Sequence, residues 1–94
     1  MENKMKIVIK YCDTWNYLPN AQSARDELLT KHPKAEIDLV VGSNGQFDII
    51  LEHYGNETIV FSKESSDRFP ESGEVLTLFE TTFLSVQKSL RDEG

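Results

Sequence analysis

The chain has one cysteine, one tryptophan, three prolines and two histidines in 94 residues. A lone Cys12 cannot close an intrachain disulfide, which excludes a disulfide-stapled scaffold and fits a reducing compartment. Long apolar runs are also missing, and nothing approaches the roughly 20 apolar residues of a bilayer span. The start, Met1 to Met5, shows neither a basic segment followed by an apolar one nor a lipidation motif. The expectation is a cytoplasmic protein with no membrane partner. Basic residues are scarce: 10 Lys and Arg stand against 16 Asp and Glu, a formal charge of -6. Nucleic acids and anionic membranes draw affinity from clustered Lys and Arg, so neither is an expected partner, and the acidity is read as a solubility device. His32 and His53 have no Cys, Asp or Glu at metal-ligand spacing, so they are read as surface residues and no metal is expected. Gly42-Ser43-Asn44-Gly45 lacks the length and the Lys-Ser/Thr ending of a phosphate loop, and no cofactor is assigned. Asn56-Glu57-Thr58 matches a glycosylation acceptor, a chance match without a secretory signal.

What the chain does have is periodicity. Ile7, Ile9 and Tyr11 alternate with Lys6, Val8 and Lys10, the period-2 pattern of a strand with one buried face. Tyr17, Ala21, Ala24 and Leu28 then recur at helical spacing, with Asn16 as N-cap, Pro19 in the first turn and Pro33 closing a helix over 17–32. A second strand carries Ile37, Leu39 and Val41 on one face. After the turn at 42–45, a third carries Phe47, Ile49 and Leu51. Tyr54-Gly55-Asn56-Glu57 reads as a hairpin loop before a strand over 58–62, and 63–70 reads as a polar loop. Val75, Phe79, Thr82, Phe83, Val86 and Leu90 form an apolar stripe on a helix over 71–90, with Glu71 and Glu74 in its first turn and Lys88 and Arg91 in its last.

The order β-α-β-β-β-α in one domain, 1–94, implies an α/β two-layer sandwich. The strand-helix-strand unit makes a right-handed parallel crossover and the hairpin adds antiparallel strands, giving a four-stranded mixed sheet. Each strand offers one fully apolar face, so both helices are expected on one side. The other face would carry Lys6, Lys10, Asp38, Asp48 and Glu52 among Val8, Val40, Ile50 and Val60. It is expected to be open to water, and its apolar stripe is a candidate surface for a protein partner or self-association.

Cys12 stands between a strand end and a helix start, where backbone N–H groups and the helix dipole favour a thiolate. Together with Tyr11-Cys12, the run Gly42-Ser43-Asn44-Gly45-Gln46-Phe47-Asp48-Ile49 and the pair Ser62-Lys63 ahead of Phe69-Pro70-Glu71 resemble the selenoprotein W-like, or Rdx, family. The resemblance spans most of the chain. It implies a thioredoxin-like fold and thiol-disulfide chemistry, with the first sulfur of a Cys-x-x-Cys or Cys-x-x-selenocysteine motif at Cys12. Here the motif is degenerate, because Trp15 occupies the second position. Exchange through an internal disulfide needs a resolving sulfur, so dithiol oxidoreductase activity is not implied.

Two readings of Cys12 follow. In one it is a catalytic monothiol in cell redox homeostasis, forming mixed disulfides with glutathione or a protein thiol. In the other it is an inert remnant, its thiol pKa raised by Asp13 and by the shielding indole of Trp15, and the chain is a non-catalytic interaction module. Trp15 is then a candidate partner anchor. Gly45 and Phe47 match the family turn expected to approach the cysteine loop, with turn geometry and core packing as their ordinary explanations.

Overall fold

The computed structural model describes the backbone of residues 5–53 and 55–93, and side chains within 6–53 and 55–86. The elements are β1 (Met5–Tyr11), α1 (Leu18–Lys31), β2 (Ile37–Val41), β3 (Phe47–His53), β4 (Asn56–Ser62), α2 (Lys63–Ser66) and α3 (Glu74–Glu93). They form a thioredoxin-like α/β domain on a mixed four-stranded sheet of order β2-β1-β3-β4. β1 is parallel to β2 and antiparallel to β3, and β3 is antiparallel to β4. The parallel pair needs a crossover, which α1 supplies.

Register aligns the expected apolar positions. Ile7, Ile9 and Tyr11 lie opposite Leu51, Ile49 and Phe47, and all six are buried. Against them pack Ala21, Ala24 and Leu28 of α1 and Val75, Phe79 and Val86 of α3. The small alanines let α1 approach the sheet closely, while α3 contributes bulk through Phe79. A buried Leu or Phe of this kind contributes about 1.5–3 kcal/mol. The two long helices meet directly, as elements sharing one face of the sheet must. The Glu27 carboxylate of α1 accepts hydrogen bonds from the backbone N–H groups of Gly73 (3.2 Å) and Leu76 (2.9 Å). It thereby satisfies orphan donors at the start of α3 and complements the dipole there.

Several local expectations are corrected. A β-bulge shifts the β3–β4 register, pairing Ile49 with Phe61 but Ile50 with Ile59. The extra residue sends Val60 into the core and puts Ile59, at 61 % exposure, on the opposite face. Alternation alone cannot register an inserted residue. Val8 and Ile50, expected to be open to water on that face, are buried; in register they are flanked by the longer side chains of Lys6, Lys10, Asp48 and Glu52. Val41, expected to face inward, is exposed at the end of an edge strand.

Asn16 does not cap α1. It takes a left-handed φ of 62°, and Tyr17 is the N-cap residue, without a side-chain cap hydrogen bond. Residues 63–66 are helical where a loop was expected, capped by the Ser62 hydroxyl accepting from the Ser65 N–H at 3.5 Å. α3 begins at Glu74, and Phe83 is half-buried. The hairpin is tighter than expected, since His53 pairs with Asn56 around Gly55, whose φ is 84°. Tyr54 lies outside the described residues, as do the side chains of Lys88, Leu90 and Arg91.

The histidines are not the surface residues they were read as. His32 is half-buried, with Nε2 3.3 Å from Glu80 Oε2. His53 falls on the helix-covered face of β3, in step with Leu51, and is buried.

Candidate functional site

β1 ends at Tyr11, and residues 12–17 connect it to α1 through a turn at 13–16. The turn is closed by Asn16 N–H to Asp13 C=O (3.0 Å) and Tyr17 N–H to Cys12 C=O (3.0 Å). This folding draws position 15 back over position 12. The Trp15 backbone N–H points at the sulfur and donates to Cys12 Sγ at 3.2 Å. The sulfur itself is sequestered, with Cys12 only 1 % exposed.

The indole of Trp15 leaves the core. It is 57 % exposed, although position 15 is only three residues from the buried cysteine. Its support is the 42–46 turn. Gln46 holds that turn by accepting from Ser43 N–H through Oε1 (2.8 Å) and donating through Nε2 to Asp48 Oδ2 (2.8 Å). Gly42 N–H donates to Tyr11 C=O at 2.7 Å, tying the turn to the strand that carries the cysteine. Gly45 has a φ of 76°, and a β-carbon built on it would lie 3.2 Å from Trp15 Cζ3. Glycine is therefore favoured twice, chiefly by the left-handed backbone and also by the ring lying on it. The turn thus reaches the cysteine loop as the resemblance implied, but what it meets is the indole.

Phe47 is buried at 1 % exposure and belongs to the core. It carries an aromatic relay towards the surface: Phe47 packs edge-on against Phe69 (5.1 Å), Phe69 against Tyr17 (4.7 Å), and Tyr17 against Trp15 (6.1 Å). Lys63 Nζ sits 5.7 Å from the Tyr17 ring centre and 5.4 Å from that of Phe69. Sequence reasoning left Tyr17, Lys63 and Phe69 out of the site. The only signal for them was the Ser62-Lys63 and Phe69-Pro70 pattern, which gives no direction in space. Cys12, Trp15 and Gly45 do come together at this end of the sheet, with Phe47 beneath them. Among the described residues no group of three or more His, Cys, Asp or Glu could hold a metal ion.

The Rdx family model matches residues 6–81, from β1 into the middle of α3. This chain belongs to the Rdx family. Solved structures agree with that placement. A selenoprotein W-related protein from Vibrio cholerae superposes with a TM-score of 0.72 at 22 % identity, over 85 % of this chain and 98 % of its own. A protein from Bordetella parapertussis gives a TM-score of 0.69 at 25 % identity, over 84 % and 98 %. Among curated proteins none matches. No described helix of this Rdx protein is long and apolar enough to cross a membrane.

Proposed function

We propose that this Rdx-family chain is a non-catalytic thioredoxin-like interaction module, which presents the Trp15 loop to a protein partner. The carrying observation is the inversion of exposure within one loop: the indole is 57 % exposed while the sulfur that an exchange reaction needs is 1 % exposed. A Trp held from below by Gly45 and from the side by Tyr17 is a preorganised anchor of the kind that dominates interface energetics. Val41, 58 % exposed and paired in register with Tyr11, extends the apolar surface at the same end of the sheet. Asp13 and Thr14 are also exposed and give that surface a polar rim.

A second reading is a monothiol redox role, in which the Cys12 thiolate attacks a glutathione or protein disulfide, forms a mixed disulfide with one sulfur and releases the other as a thiolate. The Trp15 N–H directed at Sγ supports it. Resolution of the mixed disulfide would then need an external thiol, which attacks the Cys12-linked sulfur and leaves Cys12 as thiolate. Two measurements separate the readings. Under the module reading, an aromatic disulfide reagent modifies native Cys12 at least about 100-fold more slowly than it does the unfolded chain. A partner captured by the wild type is retained by Cys12→Ala and lost by Trp15→Ala. Rapid modification of the native thiol, with capture abolished by Cys12→Ala, would establish the monothiol role instead.

A further inference from the structure

A concavity lies at the end of the molecule away from the Trp15 loop. It has a volume of about 460 Å³ and is bounded by Ile7 of β1, Leu51 of β3, Phe79 and Phe83 of α3, and the His32–Glu36 connection between α1 and β2. Cavities of roughly 300–1,000 Å³ with apolar walls and few polar groups are typical of small-molecule sites. Ile7 lies near the start of β1 and Cys12 follows its end, so about five residues, roughly 16 Å, separate this cavity from the cysteine loop. The two ends share no lining residue.

The lining has a definite chemistry. Ile7 and Leu51 form an aliphatic floor. Phe79 and Phe83 are stacked on each other, with ring centres 5.7 Å apart and an interplanar angle of 26°, and His32 packs edge-on against Phe79 at 5.2 Å, so the lining on this side is aromatic. Pro33 and Ala35 bound the opposite side without adding a polar side chain. Charge is confined to the mouth. Lys6 Nζ is turned away, held by Asp38 at 3.3 Å on the far face of the sheet. Glu36, one residue ahead of β2, also lines the cavity; Asp38 chiefly raises the Lys6 pKa, and the Glu36 carboxylate is near enough to help raise it. Glu80 is engaged by His32 Nε2 at 3.3 Å. Lys34 remains, exposed and in no ion pair among the described residues. Among the described residues, the cavity thus combines an apolar interior with Lys34, in no ion pair there, at its rim.

We propose that this cavity is a ligand site for a small planar aromatic molecule bearing one carboxylate, its ring against Phe79 and Phe83 and its carboxylate at Lys34. Aromatic stacking and burial supply affinity, and the rim ammonium selects the anion over a neutral isostere.

The test uses 2-naphthoate and its neutral amide, 2-naphthamide, titrated into the full chain while backbone amide resonances are followed. The expected result is saturable perturbation at Ile7, Ala35, Leu51 and Phe79, with a naphthoate Kd of about 0.1–1 mM, as about 13 non-hydrogen atoms allow. Lys34→Glu lies on the surface and leaves the thermal melt unchanged. It weakens naphthoate by about three- to tenfold and leaves naphthamide unaffected. Shifts that never saturate, shifts centred on the Trp15 loop, or a Lys34→Glu effect equal for both compounds would overturn the proposal. The first and third of these outcomes leave the role of Trp15 untouched.

Discussion

Gly45→Ala tests how the Trp15 loop is supported. At a φ of 76° any L-residue carries a left-handed penalty of about 1–2 kcal/mol. Alanine returns about 0.4–1 kcal/mol by narrowing the unfolded ensemble. The new methyl would also stand 3.2 Å from Trp15 Cζ3, a contact relieved when the ring gives by a few tenths of an ångström. Because the indole is largely exposed it can swing outward, so this contact adds at most about 0.5 kcal/mol. The net loss is about 1 kcal/mol, and the melting temperature should fall by about 4–8 °C. Trp15 is the only tryptophan, so its fluorescence reports on the displaced ring without labelling. In a Trp15→Ala background the backbone cost should persist while the contact cost disappears, a coupling of no more than about 0.5 kcal/mol in a double-mutant cycle. A melting temperature within about 2 °C of wild type, with unchanged Trp15 emission, would refute the account of both the turn and the anchor.

Two further outcomes follow from the same geometry. Trp15→Cys should oxidise within the monomer, because Cys12 Sγ already lies 3.2 Å from the Trp15 backbone nitrogen and the turn is closed on both sides; mass spectrometry showing only intermolecular dimers in the folded variant would contradict it. Glu74, hydrogen-bonded by Arg68 and by the Glu71 N–H, has its pKa lowered to about 2, so its contribution to stability is present above the ordinary carboxylate value and is lost as pH falls through about 2. Arg68→Gln should return the Glu74 carboxyl titration, followed by carbon-13 NMR, towards the ordinary value of about 4.3, and an unchanged midpoint would remove Arg68 as the cause.

Much of the fold was legible because burial on one face imposes a period. The alternation of Ile7, Ile9 and Tyr11 and the spacing of Ala21, Ala24 and Leu28 determined which side of each element meets the core, and hence that both long helices share a face. Cys12, Trp15 and Gly45 were singled out as candidates by residue type and order. The relations among them were not. Only the tertiary structure buried the sulfur, exposed the indole and laid it on Gly45, because these outcomes depend on how the 12–17 turn closes against a loop thirty residues away. The same limit explains Val60 and Ile59. A bulge or a pairing register is a contract between two strands, and one strand read alone does not contain it.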